Sequence, residues 1–160
     1  MSIFIQLLVN GLLLGGAYAI ISIGLTLIFG VVRVVNFAHG EFLMVGMYAA
    51  WLLAVHLGLH PYASALLVAV LLFVMGALMQ RLVIQPLLSA DAHIQIFATV
   101  GISTALLNLA LMVFGADIRK VEVTFGTEPM MLGDFTFVSG QLITFVVAIA
   151  VATGTHLFLK

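Results

Sequence analysis

GLTLIFGVVRVVNFAHGEFLMVG, Gly24 to Gly46, is the stretch on which the reading of the chain turns. Arg33, Asn36, His39 and Glu41 gather there within about two helical turns, in sequence that is otherwise apolar. Four glycines, Gly24, Gly30, Gly40 and Gly46, punctuate it. Ionisable groups are costly in lipid, so such a cluster marks either a membrane surface or a functional break in a helix bundle.

Towards the N-terminus, Met1 to Val32 carries no charged residue. At ~1.5 Å per residue it exceeds what is needed to cross ~30 Å of hydrocarbon. It lacks the basic n-region of a signal peptide and is too long for an h-region, so it reads as a retained first span. Over the whole chain 64% of residues are hydrophobic and 7% charged, whereas a soluble domain carries roughly a quarter charged. The chain is therefore an integral membrane protein. A net charge of −1 without a basic tract argues against nucleic acid as a partner. The absence of cysteine excludes disulfides, thiol catalysis and cysteine metal sites.

The expected fold is all-α, a polytopic membrane helix bundle of five spans near 4–29, 41–55, 63–82, 94–114 and 141–159. On the first span Gly11, Gly15, Tyr18, Ser22 and Thr26 share one face at about 100° per residue. Gly11 and Gly15 form a small-xxx-small pair that admits a close backbone, either along a solute pathway or in a packing seam. The second span is short for a crossing, which leaves open whether 30–41 is a surface loop or an intramembrane break. Gly58 and Pro61 prevent His56 and His60 from sharing a continuous helix face, and without a third ligand they make no metal site. Trp51 and Tyr62 suit an interfacial belt.

Arg81 is expected to end the third span, with a polar turn from Gln85-Pro86 through Asp91. On the fourth, Gln95, Thr99 and Ser103 line one face, and His93, Gly101, Thr104 and Asn108 roughly the opposite one. A helix polar on two sides belongs inside the bundle, lining a pathway or hydrogen-bonding its neighbours. Residues 116–139 hold more than half of the charges and form an extracytoplasmic loop. Val121 to Phe125 alternates like a strand, and Gly133-Asp134 before Phe135 to Val138 points to a hairpin.

No catalytic site is visible: there is no GxSxG, no HExxH and no nucleophile set against a base. No metal ligand set stands out either. With the N-terminus outside, Arg33, Arg81 and Lys160 fall on the cytoplasmic side against Arg119 and Lys120 outside, a positive-inside tally of 3 to 2.

Asn10-Gly11-Leu12, Gly15 to Ala19, Gly24 to Gly30 and, above all, Arg33-Val-Val-Asn36-Phe-Ala-His39-Gly40-Glu41-Phe42 resemble the membrane permease subunits of bacterial branched-chain amino-acid ABC importers. Thr99 to Ser103 with Asn108 matches the same family near the start of its fourth helix. The resemblance covers the whole chain as the N-terminal part (1–160) of a single permease domain. Family members continue past the position of Lys160 into an ATPase-coupling segment, so the chain is expected to be an N-terminal half.

What the resemblance implies is uptake of leucine, isoleucine, valine or related small solutes across the bacterial inner membrane. The implied partners are a second permease subunit, two ATP-binding subunits and an extracytoplasmic solute-binding protein. ATP and Mg would sit on the ATPase subunits, since no GK[ST] loop occurs here. The chain itself is expected to hold no cofactor and to be no enzyme. An alternative is an ion-coupled transporter or channel in which His39 and Glu41 relay protons.

Overall fold

The computed structural model describes residues 2–121, 129–132 and 135–160. Six helices and one hairpin follow in order: α1 (Ser2–Val32), α2 (His39–Leu57), α3 (Pro61–Met79), a π turn (Gln80–Ile84), α4 (Gln85–Leu87), α5 (Ala92–Phe114), β1 (Pro129–Leu132), β2 (Phe135–Val138) and α6 (Ser139–Phe158). Among the described residues five helical stretches, Ile3–Val31, His39–Leu57, Tyr62–Leu87, Ala92–Phe114 and Ser139–Phe158, are long and apolar enough to cross a membrane. Their surfaces are dominated by exposed large apolar residues such as Phe4, Leu66, Phe73 and Met112, which suits helices solvated by lipid.

The chain divides into two compact units. One comprises Met1–Leu27 and Val123–Lys160, the other Ile28–Glu122.

In the first unit α1 and α6 approach closely at Gly16, where an added Cβ would lie 3.0 Å from the Phe145 Cα and Cδ2. A Cβ at Gly11 or Gly15 would meet nothing within 4 Å. The close approach expected at the Gly11/Gly15 pair therefore falls one residue later. The hairpin pairs antiparallel, Pro129 opposite Val138 and Leu132 opposite Phe135. β2 is the strand expected from the sequence; its partner is Pro129–Leu132. The strand expected over Val121 to Phe125 lies, from residue 122 onward, outside the described residues. The side-chain amide of Gln6 bonds both backbone groups of Thr136: Oε1 accepts the Thr136 N–H at 3.0 Å, and Nε2 donates to the Thr136 carbonyl. An outward strand edge is thereby satisfied.

The second unit packs α2 against α3 and α5. Gly46 is buried on α2, and a Cβ there would stand 3.0 Å from the Leu72 Cδ1 of α3. The α2–α3 corner forms as the sequence demands. Gly58 adopts φ 61°, the left-handed conformation that ends α2, and Pro61 opens α3 behind an extended His60.

Two boundaries differ from expectation. The second span is longer at both ends, 19 residues or ~28 Å at 1.5 Å per residue, which is close to a full crossing. The third does not stop near Arg81 but continues through the π turn and α4 to Leu87. Pro86 has no N–H, and its ring crowds the carbonyl four residues back. The turn before it widens, with the Gln85 N–H bonded to the Gln80 carbonyl, and the helix carries on past the proline.

A candidate solute-pathway break between the first two spans

The candidate site grows from the end of α1. Arg33 takes φ 58°, the only positive φ at a non-glycine among the described residues. Its N–H still bonds the Phe29 carbonyl at 3.0 Å, so the helix closes its last turn and the chain then leaves it. Val34 to Ala38 lacks helical structure, and α2 starts at His39. Asn36 makes the turn: Oδ1 accepts the Ala38 N–H at 3.0 Å, and its carbonyl accepts the His39 N–H at 3.3 Å. Asn36 is thus the turn residue, while the helix N-cap is Ala38. Glu41 sits in the first turn of α2, where a carboxylate complements the helix dipole. Its Oε2 is buried and takes no hydrogen bond.

The break is packed against protein. Val34 and Ala38 are 3% and 0% exposed and cluster with Met79 and Ile84, with Phe42 and Ile102 packed on them. Irregular backbone is tolerated in a membrane protein only where protein or a cavity surrounds it, and this cluster provides that surrounding. The Asn36 Nδ2 lies 4.0 Å from the Met79 Sδ, a weak donor–thioether contact.

Gly40 is not the residue that turns the chain at the break. It lies inside α2 without a positive φ, and a Cβ there would meet nothing within 4 Å. The left-handed residue is Arg33, for which no glycine marked the sequence.

The polar residues of α5 divide into two groups. Gln95 Nε2 donates to the carbonyls of Leu87 and Ala90 at 2.9 and 3.0 Å. Thr99 is fully buried, and its hydroxyl lies within hydrogen-bond distance of the carbonyls of Val35, Gln95 and Ile96 at 3.3, 3.1 and 3.0 Å. These two side chains brace backbone. Thr104 and Asn108 are exposed and bond within their own helix, to the Val100 and Thr104 carbonyls. Ser103 is half-buried. On α1, Gly11, Gly15, Tyr18, Ser22 and Thr26 are all exposed.

Sequence reasoning missed a cluster at the other end of the second unit. Tyr48 stacks on Phe114 with ring centroids 4.0 Å apart, and Trp51 meets Phe114 edge-on at 6.3 Å. Arg119 Nη2 donates to the Phe114 carbonyl at 2.8 Å, and its guanidinium lies 5.1 Å from the Trp51 ring centroid. This cation closes the C-terminal end of α5 by a carbonyl bond and a cation–π contact. The sequence signal is an arginine five residues beyond a helix end.

Two cavities of about 270 and 310 Å³ lie between α2, α3 and α5 and share Met75 and Leu106. Their lining is almost wholly apolar, without the convergent polar groups that orient a polar solute. Among the described residues no three of His, Asp and Glu gather as a metal site would require.

Five candidate spans among the described residues are what a polytopic membrane protein requires, and a polar helix break packed inside one unit is a feature such proteins use along solute paths. The family model for the branched-chain amino acid transport system / permease component matches residues 7–160, and the chain belongs to that family. It is 29% identical to the high-affinity branched-chain amino acid transport system permease protein BraD of Pseudomonas aeruginosa, over 98% of this chain and 55% of the relative. It is 31% identical to the LivH permease protein of Salmonella typhimurium and 30% identical to that of Escherichia coli K12, each over 71% of this chain and 39% of the relative. The chain thus spans about half the length, or less, of these curated relatives. No solved structure matches it significantly.

Proposed function

We propose that the chain forms the N-terminal part, 1–160, of one permease domain in an ATP-driven importer for leucine, isoleucine, valine or a related small solute. The observation that carries this reading is the family match over residues 7–160, joined to a motif, Arg33 to Phe42, that folds as a packed helix break. Discontinuous helices are where transporters bring irregular backbone to a solute path.

In this reading the pathway candidates are Gly11, Gly15, Tyr18, Ser22 and Thr26, exposed on α1, and on α5 the exposed Thr104 and Asn108 with the half-buried Ser103. Gln95 and Thr99 support it by holding backbone. Small residues, hydroxyls and amides suit a solute that is itself largely apolar. The implied partners are a second permease subunit, two ATP-binding subunits that carry ATP and Mg, and an extracytoplasmic solute-binding protein. The location is the bacterial inner membrane, with the N-terminus outside and Lys160 on the cytoplasmic side.

The test is uptake of labelled leucine by cells that carry this chain with the remaining importer components. The expected result is uptake that disappears when the ATPase subunits are inactivated and persists when an uncoupler collapses the proton gradient but ATP is maintained. Uptake that follows the proton gradient and ignores the ATPases would instead establish His39 and Glu41 as parts of an ion-coupled carrier. Absence of uptake with the complete set would refute the permease role.

A further inference from the structure

The helix break and the π turn are far apart in sequence yet share one packed cluster: Val34 and Ala38 come from the break, Ile84 from the end of the π turn, and Met79 from the last residue of α3 just before it. Asn36 of the break also meets Met79, the residue that leads into the π turn. The fully buried Thr99 of α5 reaches the break through its hydroxyl, 3.3 Å from the carbonyl of Val35.

That carbonyl lies in extended backbone, outside any helix. It therefore has no intrahelical donor, unlike the Gln95 and Ile96 carbonyls that the same hydroxyl also approaches. A threonine hydroxyl on a helix ordinarily bonds back to its own turn, as Thr104, Thr144, Thr153 and Thr155 do here. Thr99 differs in reaching across to another element as well.

We propose that Thr99 is a positioning residue. Its hydroxyl latches the break to α5, and the break and the π turn are held by that latch as one block. The role belongs to the hydroxyl and not to the bulk of the side chain. A valine of the same shape would leave the Val35 carbonyl without its donor, whereas serine would keep the donor and lose only a methyl group.

The natural absence of cysteine makes the test clean. Single cysteines are introduced as Ala38→Cys in the break and Ile84→Cys in the π turn, both sites being buried. Ala148→Cys, buried on α6 in the other unit, serves as the reference. Alkylation by N-ethylmaleimide is timed in membranes carrying the full chain with Thr99, Thr99→Ser or Thr99→Val.

The expected result is alkylation at positions 38 and 84 about tenfold or more faster in Thr99→Val, because the reagent reads the population of locally opened states. Thr99→Ser should match the parent at both sites, and position 148 should not respond to either change. Unchanged rates in Thr99→Val, or equal acceleration in Thr99→Ser, would overturn the role of the hydroxyl. Acceleration at 38 without 84 would overturn the single block. Acceleration at 148 as well would show general loosening and overturn the local latch. None of these readings depends on transport, so failure of the latch and failure of the permease reading are separable.

Discussion

Arg33 holds φ 58° without being glycine. The left-handed conformation costs an L-residue about 1–2 kcal/mol, and more when the side chain is β-branched. The residue also carries one of only five basic charges in the chain, so a simple deletion of the arginine would mix backbone and charge effects. Comparing Arg33→Gly with Arg33→Ile separates them, because both remove the charge and only one relieves the backbone. The expected outcome is a detergent-solubilised melting temperature for Arg33→Gly at or above the parent, with Arg33→Ile lower by the equivalent of about 1–2 kcal/mol. Gly40→Ala should melt within about 0.5 kcal/mol of the parent, since that glycine supplies neither a turn nor a close approach. Equal melting of the glycine and isoleucine variants at position 33 would show that the backbone there carries no strain.

Close packing between elements rests on single glycines. At Gly16 the neighbouring atoms include the Phe145 Cα, which is backbone and cannot swing away. Gly16→Ala should therefore destabilise the α1–α6 pair by about 1–3 kcal/mol, the ordinary range for overpacking. Gly11→Ala, with open space around it, should be near neutral. Thermal unfolding of the two variants side by side checks this, and a greater loss at position 11 would contradict the α1–α6 packing.

The number and type of the long elements were legible in the sequence. Long uncharged runs have one solution in lipid, and turn residues such as Gly58 and Pro61 sit where the corner needs them. Three features were not legible, each because neighbouring elements decide it. Spacing shows that Gly11, Gly15 and Gly16 are small, but the side from which Phe145 arrives determines which of them is the close one. Pro86 reads as a stop, yet a widened turn carries the helix past it. Pro129 and two methionines are poor strand formers, so β1 became visible only through its pairing with β2.

The candidate site was half legible in the same sense. The polar run from Arg33 to Glu41 announced a break. The brace that holds it depends on Thr99, more than sixty positions away in sequence.

At the scale of the whole molecule, candidate spans that each cross once place successive connections on alternating sides of the membrane. Within the second unit the helix break then falls on the same side as the α4–α5 turn, and the α2–α3 corner on the side of the residues that follow α5. In the proposed permease the first set is cytoplasmic, which agrees with the positive-inside tally of Arg33, Arg81 and Lys160.

In the proposed permease the Arg33 to Glu41 stretch joins two membrane crossings of the N-terminal part. Side-specific labelling of single cysteines in the cysteine-free chain, with a membrane-impermeant maleimide applied to sealed vesicles of each orientation, tests it most directly. Val35→Cys, Ser89→Cys and Lys160→Cys should react from the cytoplasmic face only, and Leu57→Cys and Ile118→Cys from the opposite face only. Labelling of Val35→Cys and Leu57→Cys from one and the same face would contradict it, because α2 would then not cross the membrane and the motif would not join two spans.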